Sequence, residues 1–204
     1  SASINLGRGV FSIEDDGPDA VVSNAQADAL VLDETRPLGS ETDGDSDPVG
    51  VASVSANFAD NFAAVTDYGS DGPGSTSYSL SLTGANVASG LFALGANGAQ
   101  GASIVLNVDT TGADAGDIVG SAGGVEYFRI HVDSATGQVT FSQSENIWHS
   151  NTGNDDDSST LTLSNANLLQ IVQTVTDADG ESFISGPDLG VAVVDEIEQP
   201  KHHR

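Results

Sequence analysis

Cysteine is absent from the 204 residues, and so is methionine. No disulfide can brace the chain, and no thiolate can act as a nucleophile or zinc ligand. Basic residues are scarce as well. Five Lys and Arg stand against 30 Asp and Glu, a formal net charge of -25 at pH 7. Nucleic-acid binding is excluded on that balance, because phosphates are neutralised by Lys and Arg. An anionic membrane surface repels the chain for the same reason. No apolar run approaches the ~18 residues of a bilayer span, so no membrane insertion is expected. Ser1 to Val10 lacks the basic head and apolar stretch of a signal peptide. Intrinsic disorder is the alternative for so acidic a chain, but its apolar runs are too regular for that.

What the chain does contain is strand signal and acidic turns. Ser77–Thr83 alternates with period two, placing Tyr78, Leu80 and Leu82 on one face. Residues 103–108 read as a second strand. Glu126–Val132 sets Phe128 and Ile130 opposite Tyr127 and Arg129, and Gln138–Gln143 continues the pattern after a turn at 133–137. These two segments form a predicted hairpin. Further strands are predicted at 10–13, 29–32, 159–163, 168–176 and 191–194. Helical spacing occurs once, at 56–65, where Phe58, Phe62 and Val65 share a helical face. Many short strands between Gly- and Asp-rich turns predict an all-β, β-sandwich-like domain with at most one or two short helices.

An internal echo sets the domain boundaries. Asn5-Leu6-Gly7, Val10 and Ile13-Glu14 to Pro18 are matched late in the chain by Asp188-Leu189-Gly190, Val193-Val194 and Ile197-Glu198 to Pro200. Leu6 and Leu189 lie 183 residues apart, Pro18 and Pro200 182 apart. A fixed offset is how tandem modules show themselves. Residues 1–18 then read as the tail of a preceding module, 19–200 as one module, and 201–204 as terminal residues. Chance similarity between two short stretches is the other reading.

Of the acids, 22 are Asp and 8 are Glu, and they bunch in turns. Ca²⁺ takes 6–8 oxygen ligands, and short Asp side chains in a Gly-containing turn let several oxygens converge. Four clusters qualify: Asp15-Asp16-Gly17-Pro18, Asp43/Asp45/Asp47, Asp155-Asp156-Asp157, and Asp177-Ala178-Asp179-Gly180-Glu181. The Asp43 cluster is no EF-hand, because Gly44 is second rather than sixth and the twelfth residue is Val54. A solvated acidic loop is the alternative for any one cluster. Across the four, several Ca²⁺ ions held in long acidic loops are the expectation. A halophile surface would instead spread its acids over exposed faces.

Catalytic chemistry finds little support. There is no G-x-S-x-G elbow and no H-E-x-x-H pair. His131 sits within a strand, and His149 follows Trp148 in a stretch that reads as a packed aromatic corner or the wall of a site. Paired carboxylates carry no information among so many acids. The chain is not expected to be an enzyme.

The ordered set Leu32-Asp33-Glu34-Thr35, Phe58-Ala59-Asp60-Asn61-Phe62, Tyr68 to Gly74, Tyr78-Ser79-Leu80, Ser89-Gly90-Leu91, Phe128 to Asp133, Gly137 to Thr140 and Val175 to Gly180 carries a resemblance. It resembles the repeated domain of very large bacterial RTX adhesins exported by type I secretion. The likeness runs from about Asp33 to Val194. Asp15-Asp16-Gly17-Pro18 resembles the end of a neighbouring repeat, whereas Glu198-Gln199-Pro200 departs from that pattern.

The resemblance implies an extracellular, Ca²⁺-rich β-domain on the bacterial cell surface, serving adhesion and biofilm formation and folding outside the cell. It adds Asp33 and Glu34, with Asp67 and Asp71 around Tyr68, to the candidate Ca²⁺ ligands. Two roles follow. In one, the module binds a surface peptide or protein of a host or neighbouring cell, less so a glycan, with Ca²⁺ contacting a C-terminal carboxylate. The walls would be loops 35–50 and 144–160, with Tyr68, Trp148, His149, Asn151 and Asn154 as candidate contacts. In the other, Ca²⁺ stiffens the joint to neighbouring modules of the same chain, and the domain is a spacer.

Overall fold

The computed structural model describes residues 20–23, 30, 32, 52–65, 68, 72–151, 159–180 and 182–185. The architecture is all-β. Nine strands are present among these residues: β1 Ala52–Asn57, β2 Pro73–Leu82, β3 Val87–Leu94, β4 Gln100–Val108, β5 Ile118–Ala122, β6 Val125–Val132, β7 Gln138–Gln143, β8 Leu169–Asp177 and β9 Ser182–Ser185. They form a six-stranded sheet in the order β1-β7-β6-β5-β4-β3 and a three-stranded sheet in the order β2-β8-β9. Every pairing is antiparallel. Helix among the described residues is limited to single 3₁₀ turns, and none is long and apolar enough to cross a membrane.

Alternation builds the core. Phe128 and Ile130 of β6, Val139 and Phe141 of β7, Ile104 and Leu106 of β4 and Ile118 of β5 are wholly buried on one face of the large sheet. Leu169 and Ile171 of β8 join the same core, with Tyr78, Leu80 and Leu82 of β2 packed against it. Each such side chain contributes roughly 1.5–3 kcal/mol by leaving water. The Phe128 and Phe141 rings lie 5.0 Å apart in a tilted stack. Leu30 and Leu32, from the predicted strand at 29–32, are core residues as well.

The predicted hairpin is β6–β7, with Val132 opposite Val139. Its turn closes because Asp133 Oδ1 accepts from the backbone N–H groups of Ala135 (2.9 Å) and Thr136 (2.8 Å), and Gly137 takes a φ of 71°.

Two expectations are corrected. The helix predicted over 56–65 is instead the end of β1 followed by one 3₁₀ turn, Ala59–Asn61. Val54 and Ala56 face inward with period two, and the side-chain Oδ1 of Asn57 accepts from Ala59 N–H where the strand ends. Phe58 and Phe62 are both buried across that single turn, so their spacing of four imitates a helix. The strand predicted at 159–163 forms no ladder. It crosses β3 at Gly90, where φ is +78° and the β3–β4 register shifts, and one bond from Thr162 N–H to Ser89 C=O holds it there. The segments 10–13 and 191–194 lie outside the described residues.

Candidate functional site

The acidic turn after β8 is the one Ca²⁺ candidate with described carboxylates. The inward face of β8 runs Leu169, Ile171, Gln173, Val175, Asp177, so the strand's alternation carries a carboxylate into the protein at its last residue. Asp177 is only 4% exposed. Its Oδ1 accepts from Gly180 N–H at 2.9 Å, folding the Asp177–Gly180 turn back on itself, and Gly180 takes a φ of 101°. Glycine is also required opposite. Gly74 of β2 sits where a Cβ would overlap the carbonyls of Thr176 and Asp177. Asp177, Asp179 and nearby backbone carbonyls are hard oxygen donors of the kind Ca²⁺ takes. Among the described residues no three Asp, Glu or His side chains converge as a metal site, so a full shell here would draw further oxygens from outside them.

A different acidic group is organised around an internal cation. Arg129 of β6 donates through Nη1 to Asp109 Oδ2 (3.0 Å) and Asp117 Oδ2 (3.3 Å), and through Nε and Nη2 to both oxygens of Glu126 (3.0 and 2.9 Å). His131, two residues along the same face, donates from Nδ1 to Asp117 Oδ1 at 2.7 Å. Arg129 is the only Lys or Arg among the described residues, and three carboxylates consume its fork. The Glu126 hydrogen bonds above all hold its proton more tightly than usual. Asp109 is held below the ordinary carboxylate range, first by the backbone N–H of Thr111 and then by Arg129. Asp133 is lowered likewise by the Thr136 backbone N–H and hydroxyl. This cluster is a satisfied structural network.

The candidate ligand contacts fall in two places. Trp148 and His149 pack on β3 at one end of the large sheet's strand order. The Trp148 backbone N–H donates to Phe92 C=O (2.8 Å), and the indole meets the Phe92 ring edge-on at 6.3 Å. Ser159 Oγ lies 3.0 Å from His149 Nδ1. Ile147, just before them, is buried and bridges to Ala93. Both side chains are half-buried, and Asn151 is exposed beyond them.

Tyr68 belongs elsewhere. It lines a pocket of about 450 Å³ where residues 59–65, which follow β1, meet the inner face of β2 and β8. Asp60, Phe62, Thr76, Tyr78 and Gln173 share that lining; Trp148 and His149 do not. Tyr78 and Gln173 are cross-strand partners, Gln173 Nε2 donates to Tyr78 Oη (3.2 Å), and the Phe62 ring meets the Tyr78 ring at a 58° tilt, 5.7 Å between centres.

Residues 11–190 match the family described as a domain of unknown function, DUF5801. The chain belongs to that family. No curated protein and no solved structure matches it.

In this DUF5801 domain the remaining candidate ligands, Asp15, Asp16, Asp33, Glu34, Asp43, Asp45, Asp47, Asp67, Asp71, Asp155, Asp156, Asp157, Glu181 and Asn154, lie outside the described residues. Sequence reasoning missed Asp60, Thr76 and Gln173 as pocket residues and Asp109, Asp117 and Glu126 as partners of Arg129. One signal for the second group was present. A lone arginine on the outward face of a strand, in a chain with 30 acids, has to find carboxylates.

Proposed function

We propose that this DUF5801 domain is a Ca²⁺-stabilised, non-catalytic binding module of a large type I-secreted RTX adhesin on the bacterial cell surface, taking peptide or protein ligands in adhesion and biofilm formation. The observation that carries the reading is the β8 turn. Alternation buries the Asp177 carboxylate at a strand end beside Asp179 and Gly180, which gathers hard oxygen donors into one turn. In a protein of charge -25, a divalent cation is the natural partner for such a group. Asp177 and Asp179 would hold it, and when bound it supplies positive charge that ties the turn and, with an open position, can meet a ligand carboxylate. Millimolar extracellular Ca²⁺ would then stabilise the folded state by mass action. A two-sheet scaffold with a pocket at one side and an aromatic corner at the other favours binding over a plain spacer.

The test is capture by the purified chain on arrays of peptides with free C-termini and of glycans, in millimolar Ca²⁺ and again in EDTA. Ca²⁺-dependent capture of a defined peptide set is the expected result. Silence on both arrays, from a chain shown by circular dichroism to be folded, would move the assignment to a Ca²⁺-stiffened spacer.

A further inference from the structure

The pocket lined by Tyr68 has a one-sided inventory. Among the described residues its lining contains no Lys, Arg or His. Asp60 stands exposed at its rim, and among the described residues it has no ion-pair partner. In its floor, Gln173 is 2% exposed and spends its Nε2 on Tyr78 Oη, while its Oε1 accepts from no group among the described residues. A buried amide oxygen without a donor is costly, on the order of 1–3 kcal/mol. Around these acceptors are the Tyr68 and Tyr78 rings and the small apolar side chains of Ala63, Ala64 and Val65. Among the described residues the lining thus offers a carboxylate, π faces and an apolar wall, and no positive charge.

We propose that this pocket binds a primary ammonium group on a short apolar stem, as a lysine side chain of a partner peptide or a free alkylamine presents it. The stem methylenes lie along the alanine and valine wall. The ammonium, which has three donors and no acceptor, is drawn to Asp60 and to the tyrosine faces. An anionic or neutral head finds no donor-rich partner there, and the field of a protein with charge -25 favours cations at long range. The pocket shares no residue with the Asp177–Gly180 turn, so this proposal does not rest on a Ca²⁺ ion held at that turn.

The experiment keeps Ca²⁺ constant and millimolar throughout, so that a failed Ca²⁺ reading and a failed pocket are separable. The folded chain is titrated with Nα-acetyl-lysine methylamide, with n-butylamine, and with the neutral Nα-acetyl-norleucine methylamide. The readout is the backbone amide shifts of Asp60, Tyr78 and Gln173. Saturable shifts with the lysine derivative, at least about tenfold tighter than with the norleucine derivative, are expected. Asp60→Asn should lose about fivefold or more, while Asp114→Asn, at an exposed turn elsewhere, should leave affinity unchanged. Binding of the lysine derivative alone assigns the site to a peptide side chain; binding of butylamine as well assigns it to the ammonium stem whatever carries it. Equal binding of the norleucine derivative, equal losses in the two variants, or no saturable shift with either amine would overturn the proposal.

Discussion

Arg129 Nη1 reaches Asp117 Oδ2 across 3.3 Å, and the Asp117 side chain it reaches is 8% exposed. The carboxylate is held inside the protein by this guanidinium on one side and by His131 on the other. Removing the arginine strands a buried charge and releases Asp109 and Glu126 to repel it. Arg129→Met should therefore lower unfolding stability by about 2–3 kcal/mol, below the range for wholly buried pairs because Arg129 is partly exposed. Arg129→Lys should cost less but not nothing, since an ammonium cannot reproduce the two-pronged grip on Glu126. Urea denaturation measures both. A Met variant as stable as the parent would show that the network holds nothing.

The Asp133 carboxylate organises the β6–β7 turn, and the N–H and hydroxyl of Thr136 depress its pKa. A depressed acid contributes stability fully above its unfolded value, near 3.9, and loses it as pH falls through the lower folded value. Asp133→Ala should consequently melt below the parent at pH 7, with the gap closing as pH drops below about 4. Asp109, lowered by Thr111 and Arg129, acts in the same direction. Melting curves of parent and variant between pH 7 and 2 decide the point; a gap that stays constant to pH 2 contradicts it.

How much of this is legible in sequence depends on whether a segment's chemistry is local. β7 and β8 alternate along their length, β2 does so from Ser75, β4 from Ser103 and β6 from Tyr127, and each shows in the chain. β3 hides because its inward face, Val87, Ser89, Leu91 and Ala93, mixes polar and small residues with one leucine while Phe92 and Leu94 lie on the other face: Ser89 Oγ is buried, donating to Ile104 C=O and accepting from Leu91 N–H. β1 hides because its inward residues, Val54 and Ala56, are small and the following Phe58 and Phe62 mimic a helical stripe. β5 is short and built around Gly120. The site is less legible than the fold. The pocket joins Asp60, Tyr78 and Gln173 from three elements, and the Arg129 network joins the end of β4, the start of β5 and β6. Spacing along the chain carries no trace of such meetings. The Asp177 turn is legible because its residues are consecutive.

Gly120 shows a packing constraint with no local signal. It pairs with Phe128 across β5 and β6, and a Cβ on Gly120 would overlap the Phe128 ring. That ring is wholly buried against Phe141 and has nowhere to retreat. Gly120→Ala should destabilise the domain by about 1–3 kcal/mol through overpacking. Gly120→Ala combined with Phe128→Leu should recover part of the loss, because the smaller side chain frees the space the methyl needs. Thermal melts of the single and double variants test this. A single variant melting with the parent would place the ring elsewhere.

If Ca²⁺ ties the turn after β8, its removal should be felt by the whole domain, because Asp177 is the last residue of a strand flanked by β2 and β9. Chelation with EDTA should lower the melting temperature by about 10 °C or more. The residue-level control separates this turn from general screening of a charge of -25. Asp179→Asn removes a carboxylate from the turn and should weaken Ca²⁺ binding in calorimetry. Asp114→Asn removes the same charge from the exposed turn before β5 and should leave it unchanged. Equal effects in the two variants would mean diffuse electrostatic attraction, and a melting temperature indifferent to EDTA would remove Ca²⁺ from the account of this fold. A selective Asp179 effect would identify the β8 turn as a place where the ion is held by geometry.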